Sequence, residues 1–270
     1  FKCVNIINSI RSFILANKNI KMEIINKIYS FPQDNLNLLR SKTFLKPLIK
    51  LMIRDALLSE VELDDESTNQ FCDRFFKRIN IDSEEKKLNY FKENLLNVND
   101  IKAIATSTEK ANKMSLKLFG EKSSEFFEKR KSQLDQYVYS FLKVENSDLA
   151  QELFLKIESN ENDFSSVAAE YSEGPEKYKK GLIGPVPFSQ INPQIREKLT
   201  AGEKGIVLEP FEASGFWIIV RLEEILPAEF DQKMKTMMSN ELFELMVEKF
   251  TREVIAEITK FRFKDLIPEG

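Results

Sequence analysis

Gln136-Tyr137-Val138-Tyr139-Ser140-Phe141-Leu142-Lys143-Val144 is the stretch at which the chain changes character. β-branched and aromatic residues crowd it, which is strand composition. Residues 1–136 read differently. They hold one glycine, Gly120, and two prolines, Pro32 and Pro47. Apolar residues there recur at three- and four-residue steps, as in Leu45, Leu48, Ile49, Met52, Ile53, Ala56 and Leu57, which is the helical period. Asp64-Asp65-Glu66-Ser67 and Ser83-Glu84-Glu85 read as helix starts, Asn99-Asp100 opens a further helix, and Ser123 to Leu134 is the last. The expectation for residues 1–136 is about five to seven helices and no sheet. Cys72 sits on a helix face in the aromatic run 71–76 and reads as a buried free thiol; with Cys3 it makes no disulfide framework.

Beyond Val144 the texture is mixed. Asp148 to Glu158 is helical, with Leu149, Leu153, Phe154 and Ile157 on one face, and Phe164 to Tyr171 is a second short helix. Residues 172–187, rich in glycine and proline, read as a loop. Pro193 to Leu199 is a short helix, and Gly205 to Glu209 and Gly215 to Leu222 are strands, the second apolar enough to be buried. Residues 137–227 therefore read as a small α+β domain of strand, three helices and two strands. From residue 228 to 270 the helical period returns, and Met234, Met238, Leu242, Met246, Phe250, Val254 and Ile258 form one long stripe. A helix cannot bury such a stripe alone. The fold class that follows is an α+β domain (137–227) inserted into an all-α lobe built from 1–136 and 228–270.

Composition narrows the function classes. The chain has 270 residues, 42% hydrophobic and 31% charged, as expected of a globular protein. Net charge is −3, so the total implies no nucleic-acid partner. Residues 137–227 nevertheless carry 9 Lys+Arg against 15 Asp+Glu, which favours basic or neutral partners for that domain. Histidine is absent, which removes the commonest general base, Ser-His and Cys-His pairs, and the commonest zinc ligand. No metal cluster or phosphate-binding glycine loop is visible. No apolar run approaches the roughly 20 residues of a membrane span. Ile10 to Ala16 is broken by Arg11 and lacks signal-peptide features, so the sequence reads as cytoplasmic.

Several short patterns then fall in order within 137–227. They are Leu149-Ala150-Gln151-Glu152-Leu153, Asn162-Asp163-Phe164 with Ala168-Ala169 and Tyr171-Ser172, Gly181-Leu182-Ile183-Gly184, Ala201-Gly202-Glu203-Lys204-Gly205, and Gly215-Phe216-Trp217-Ile218-Ile219. Together they resemble the parvulin (PpiC-type) peptidyl-prolyl isomerase domain. The flanking helices resemble those of SurA- and PrsA-like foldases, and the wording of the loop at 172–176 resembles a divergent cyanobacterial branch of these isomerases. In such domains the first strand carries a histidine; here that position is Ser140, or Phe141 if the register moves by one. The loop position that offers a Cys or Asp is Gly174, with Glu173 beside it. The second histidine is Trp217. The positions that hold the proline ring fall at Ile191 and Ile195, with Leu182 and Ser214 bordering the site.

The resemblance implies no cofactor and no metal. Peptide-bond rotation faces about 18–20 kcal/mol, and an apolar pocket with well-placed hydrogen bonds lowers it by binding the twisted amide best. Trp217 has a single N–H donor and no acceptor, so it cannot do the work of a histidine hydrogen-bonded on both sides. Three readings follow: a polypeptide-binding chaperone or foldase with little or no rotamase activity, an isomerase with a non-standard site, or a scaffold docking one fixed partner. The first implies unfolded or extended polypeptide clients. Strand alternation places Trp217 with Ile219 and Arg221; at the histidine position the indole is expected beside the groove of Ile191 and Ile195, or else as a large aromatic in the core.

Overall fold

The computed structural model describes residues 10–263; Cys3 and the chain ends at 1–9 and 264–270 lie outside the described residues. The chain forms two compact units. One comprises Phe1–Glu125 with Asp231–Gly270, and the other Phe126–Phe230.

The first unit is helical. Its helices are α1 (Lys18–Ser30), α2 (Gln33–Ser41), α3 (Leu45–Leu58), α4 (Asp65–Arg78), α5 (Glu84–Asn94) and α6 (Val98–Phe119). α7 (Ser123–Leu134) carries the chain into the second unit, and α11 (Gln232–Arg262) returns to the first. The expected caps set the starts: Asp64 accepts from the Ser67 N–H at 2.7 Å, and Ser83 from the Lys86 N–H at 3.3 Å. α6 begins earlier than Asn99-Asp100 suggested. Asn97 is its cap, and the Asp100 carboxylate reaches back to the Asn97 N–H at 2.7 Å, a reciprocal capping box. α11 packs along α6 and α3 and touches α1. Met238, Leu242, Phe243, Met246, Phe250, Val254 and Ile258 are buried there. Lys46 pairs with Glu248 at 2.7 Å and Lys50 with Glu244 at 3.2 Å, pinning α3 to α11. A smaller cluster joins α4 to α6 around Phe75, Phe76 and Ile101. Cys72 lies half-buried at its margin as a free thiol, its pKa pushed up by burial.

The second unit is built on a four-stranded antiparallel sheet in the order β2-β1-β4-β3, comprising β1 (Gln136–Val144), β2 (Leu182–Pro187), β3 (Phe211–Ala213) and β4 (Phe216–Leu226). Between the strands run α8 (Ser147–Glu158), α9 (Phe164–Tyr171) and α10 (Pro193–Ala201). The α+β class holds, but the strands differ from expectation in two places. The end of the 172–187 loop is the edge strand β2, where Pro185 and Pro187 are tolerated because an edge leaves N–H groups unpaired. Gly205–Glu209 is not a strand. It contributes one bridge, Val207 to Arg221, and full pairing with β4 resumes only after Pro210, at Phe211.

The sheet divides two clusters. One face holds Leu142, Val144 and Ile219 against Ala150, Leu153, Phe154 and Ile157 of α8 and Phe164, Val167 and Ala168 of α9. The other holds Tyr139, Ile218, Val220 and Leu222 with Ile191 and with Ile195 and Leu199 of α10. Each fully buried Leu, Ile or Phe contributes about 1.5–3 kcal/mol, so these clusters hold the unit together.

Candidate functional site

Register decides which candidates meet. Side chains of paired residues share a face. Ser140 pairs with Arg221 and Leu182, Leu142 with Ile219, and Val144 with Trp217. All of these lie on the α8/α9 face. Trp217 is half-buried against the cluster of Phe154 and Phe164, not beside Ile191 and Ile195. The expectation that its indole borders the groove is corrected: alternation was read properly, but Ile191 and Ile195 cover the other side, with Phe216 and Ile218. Leu182 is corrected in the same way. It is 49% exposed on the Ser140 side, and its neighbour Ile183 packs toward Ile191 and Ile195. Of the two first-strand candidates, Phe141 faces the α10 side and Ser140 the opposite one.

Ser140 and Trp217 are not brought together. Ser140 and Trp217 are four strand positions apart along the β1/β4 pair, roughly 13 Å at about 3.3 Å per residue. Ser140 has partners of its own. A β-bulge between Val138 and Tyr139 leaves Glu223 outside the pairing, and the buried Ser140 hydroxyl donates to its carboxylate. Arg221 Nε donates to the same oxygen at 2.7 Å, and its guanidinium lies 5.4 Å from the Phe164 ring centre. This network is internally satisfied.

At Gly174 the structure shows a carboxylate that sequence reasoning missed. Glu176 is buried, and the Ser172 hydroxyl donates to it. A Cβ on Gly174 would fall 2.1 and 2.4 Å from the two Glu176 oxygens. A side chain at 174 would have to displace the Glu176 carboxylate, which fills that space. The loop is fastened to β1: the Lys143 N–H donates to the Ser172 hydroxyl at 3.2 Å and the Glu173 N–H to the Lys143 carbonyl at 3.0 Å. Glu173 itself accepts from the Glu145 N–H at 3.2 Å and stays exposed. The only hint in the sequence was the spacing Ser-x-Gly-x-Glu.

The α10 face is partly covered. Ile191 and Ile195 are buried at 4% and 7% exposure. Around them Tyr137, Phe141, Ile183, Val186, Phe188, Phe211 and Phe216 are only half-buried. Tyr137 and Phe188 stack with ring centres 4.8 Å apart. Burial pushes the phenols of Tyr137 and Tyr139 above their usual pKa; Asp135 adds to the shift at Tyr137. Ser214 and Gly215, both at positive φ (55° and 80°), make the tight turn between β3 and β4, placing the exposed Ser214 between Ala213 and Phe216 of this face.

Residues 142–224 match the family model described as Rotamase: PPIC-type PPIASE domain. The central domain belongs to the parvulin family. The match covers the α8/α9-side cluster, the loop at 172–176, and the α10-side cluster apart from Tyr139 and its neighbours on β1. Chaperone SurA from Colwellia psychrerythraea is 33% identical over 76 residues, covering 28% of this chain and 18% of that protein. The chain therefore spans less than a fifth of the length of that relative. The foldase protein PrsA from Streptococcus pneumoniae aligns over 83% of this chain and 89% of its own at 16% identity and TM-score 0.46. The parvulin domain of PpiD from E. coli aligns over 37% and 97% at 24% identity and TM-score 0.32.

Proposed function

We propose that this chain is a polypeptide-binding foldase of the parvulin type with little or no rotamase activity, holding unfolded or extended clients at the α10 face of its central domain. The observation that carries the proposal is the separation of two features. The half-open aromatic face over Ile191 and Ile195 is kept, while Ser140, Gly174 and Trp217, the positions that resemble the polar site, are apolar, small or tied into other contacts. An apolar face gives affinity for both planar isomers of a proline peptide. Rate acceleration needs interactions that strengthen only at the twisted amide.

One observation favours a second reading, an isomerase with a non-standard site. The Glu176 carboxylate stands where a side chain at 174 would be, held by Ser172. A protease-coupled proline isomerisation assay separates the two. The first reading expects rates within about tenfold of the uncatalysed reaction, together with suppression of aggregation of a denatured client. Strong catalysis that Glu176→Gln abolishes would establish the second.

A further inference from the structure

Net charge gives the central domain an acidic character, yet its α10 face carries a different charge. Lys143 Nζ lies 4.3 Å from the Phe216 ring centre, Lys198 Nζ 5.4 Å from that of Phe211, and the Arg196 guanidinium 5.7 Å from that of Phe188. All three rings belong to the half-buried rim around Ile191 and Ile195. Among the described residues none of the three cations takes part in a salt bridge, whereas elsewhere in the unit Lys131 pairs with Asp135, Lys156 with Glu152 and Arg221 with Glu223.

Among the described residues, no carboxylate of the neighbouring elements forms an ion pair with these cations. Glu212 pairs with Trp217, so it shares the α8/α9 face, and Glu223 is engaged by Ser140 and Arg221. Glu197 is exposed on α10, between two residues that reach the rings. Glu145 and Glu173 lie beside Lys143 at the end of β1, where the Glu173 N–H donates to the Lys143 carbonyl at 3.0 Å, but the Glu173 carboxylate is taken up by the Glu145 N–H and neither residue forms an ion pair with Lys143. A ring quadrupole holds a cation in place without neutralising it. The aromatic rim thus presents positioned positive charges beside an apolar floor.

We propose that this face selects acidic clients: extended polypeptide in which a proline or other apolar residue is flanked by Asp or Glu. Lys143, Arg196 and Lys198 are the specificity-determining residues. The proposal rests on the client-binding reading above and names the chemistry that reading leaves open. It reverses the expectation that an acidic domain favours basic clients, because the local field at the contact outweighs distant charge screened over about 8–10 Å.

The test uses the full chain and three fluorescent peptides sharing one apolar proline-containing core, flanked by Glu, by Gln or by Lys, with binding read by anisotropy. The acidic peptide is expected to bind about tenfold more tightly than the basic one at low salt, with the gap closing as salt rises. Lys143→Glu, Arg196→Glu and Lys198→Glu together invert the order. Lys143→Met, Arg196→Met and Lys198→Met together keep apolar stems over the rings and erase the preference, which guards against misfolding of the charge-reversed variant. Lys156→Glu, on α8, leaves the order unchanged. Equal binding of all three peptides, or a preference for the basic one, overturns the selectivity and leaves client binding standing. Failure of every peptide to bind overturns both.

Discussion

The two faces of the central sheet are made by alternate residues of the same strands, yet they have become different kinds of surface. On the α8/α9 side Leu142, Val144, Ala150, Phe164 and Ile219 are almost wholly excluded from solvent, and Trp217 packs at the margin. Even the polar groups there, Ser140, Arg221 and Glu223, bind one another. On the α10 side a buried floor is ringed by aromatics left half-open, with cations over them. Period-two alternation lets one face be sealed while its neighbour stays available. Trp217 is thus absorbed as packing on one side and leaves the apolar floor on the other intact.

The sharpest way to break this comparison is to truncate one ring on each side. Phe164, fully buried, should cost about 3–5 kcal/mol on Phe164→Ala, read by urea denaturation. Phe216→Ala on the open face should cost no more than about 1 kcal/mol of stability while weakening peptide binding several-fold. Similar stability losses at both positions would erase the distinction between the faces.

Gly174→Ala sharpens the comparison at the loop. The added methyl must displace the buried Glu176 carboxylate, and a loss of about 1–3 kcal/mol follows from its broken hydrogen bond with Ser172. In Gly174→Ala with Glu176→Ala the two losses should sum to more than the double variant shows. Strict additivity would mean that the two positions do not compete for the same space.

The smallest effect is expected from Tyr139, on the floor of the open face. Burial raises its pKa above 10.0, so the folded state keeps a proton that the unfolded chain releases. Its contribution is complete below about pH 10 and declines as pH rises beyond that value. Tyr139→Phe should flatten this alkaline decline in melts followed between pH 9 and about 11. A decline of unchanged slope would assign it to other groups.

Much of the fold was legible in the sequence because its signals are local. Caps at Asp64 and Ser83 and the stripe from Met234 to Ile258 report helix starts and a buried face directly. β2 was hidden because glycine and proline dominate it, and only its edge position makes that composition tolerable. The site was legible to the extent that it depends on spacing: Ile191 and Ile195 meet on one floor. Which strand face they cover is a matter of how α10 crosses the sheet, and no periodicity encodes that. Trp217 and Leu182 were misplaced for this reason, and Glu176 was missed because a buried carboxylate in a loop looks like any surface glutamate.

The long helix that completes the first unit has a consequence for how the chain is made. α11 supplies buried contacts to α6, α3 and α1, yet it follows them by the whole length of the central domain. A ribosome adding about 5–20 residues per second needs on the order of 5–20 s to traverse Phe126 to Phe230. During that interval the early helices wait with their apolar sides uncovered, while the central domain already holds every strand of its own sheet. Synthesis therefore finishes the middle of this protein before its beginning. Nascent chains stalled when Phe230 has just left the ribosomal tunnel and α11 is still inside it should show a protease-resistant central domain beside a protease-sensitive first unit.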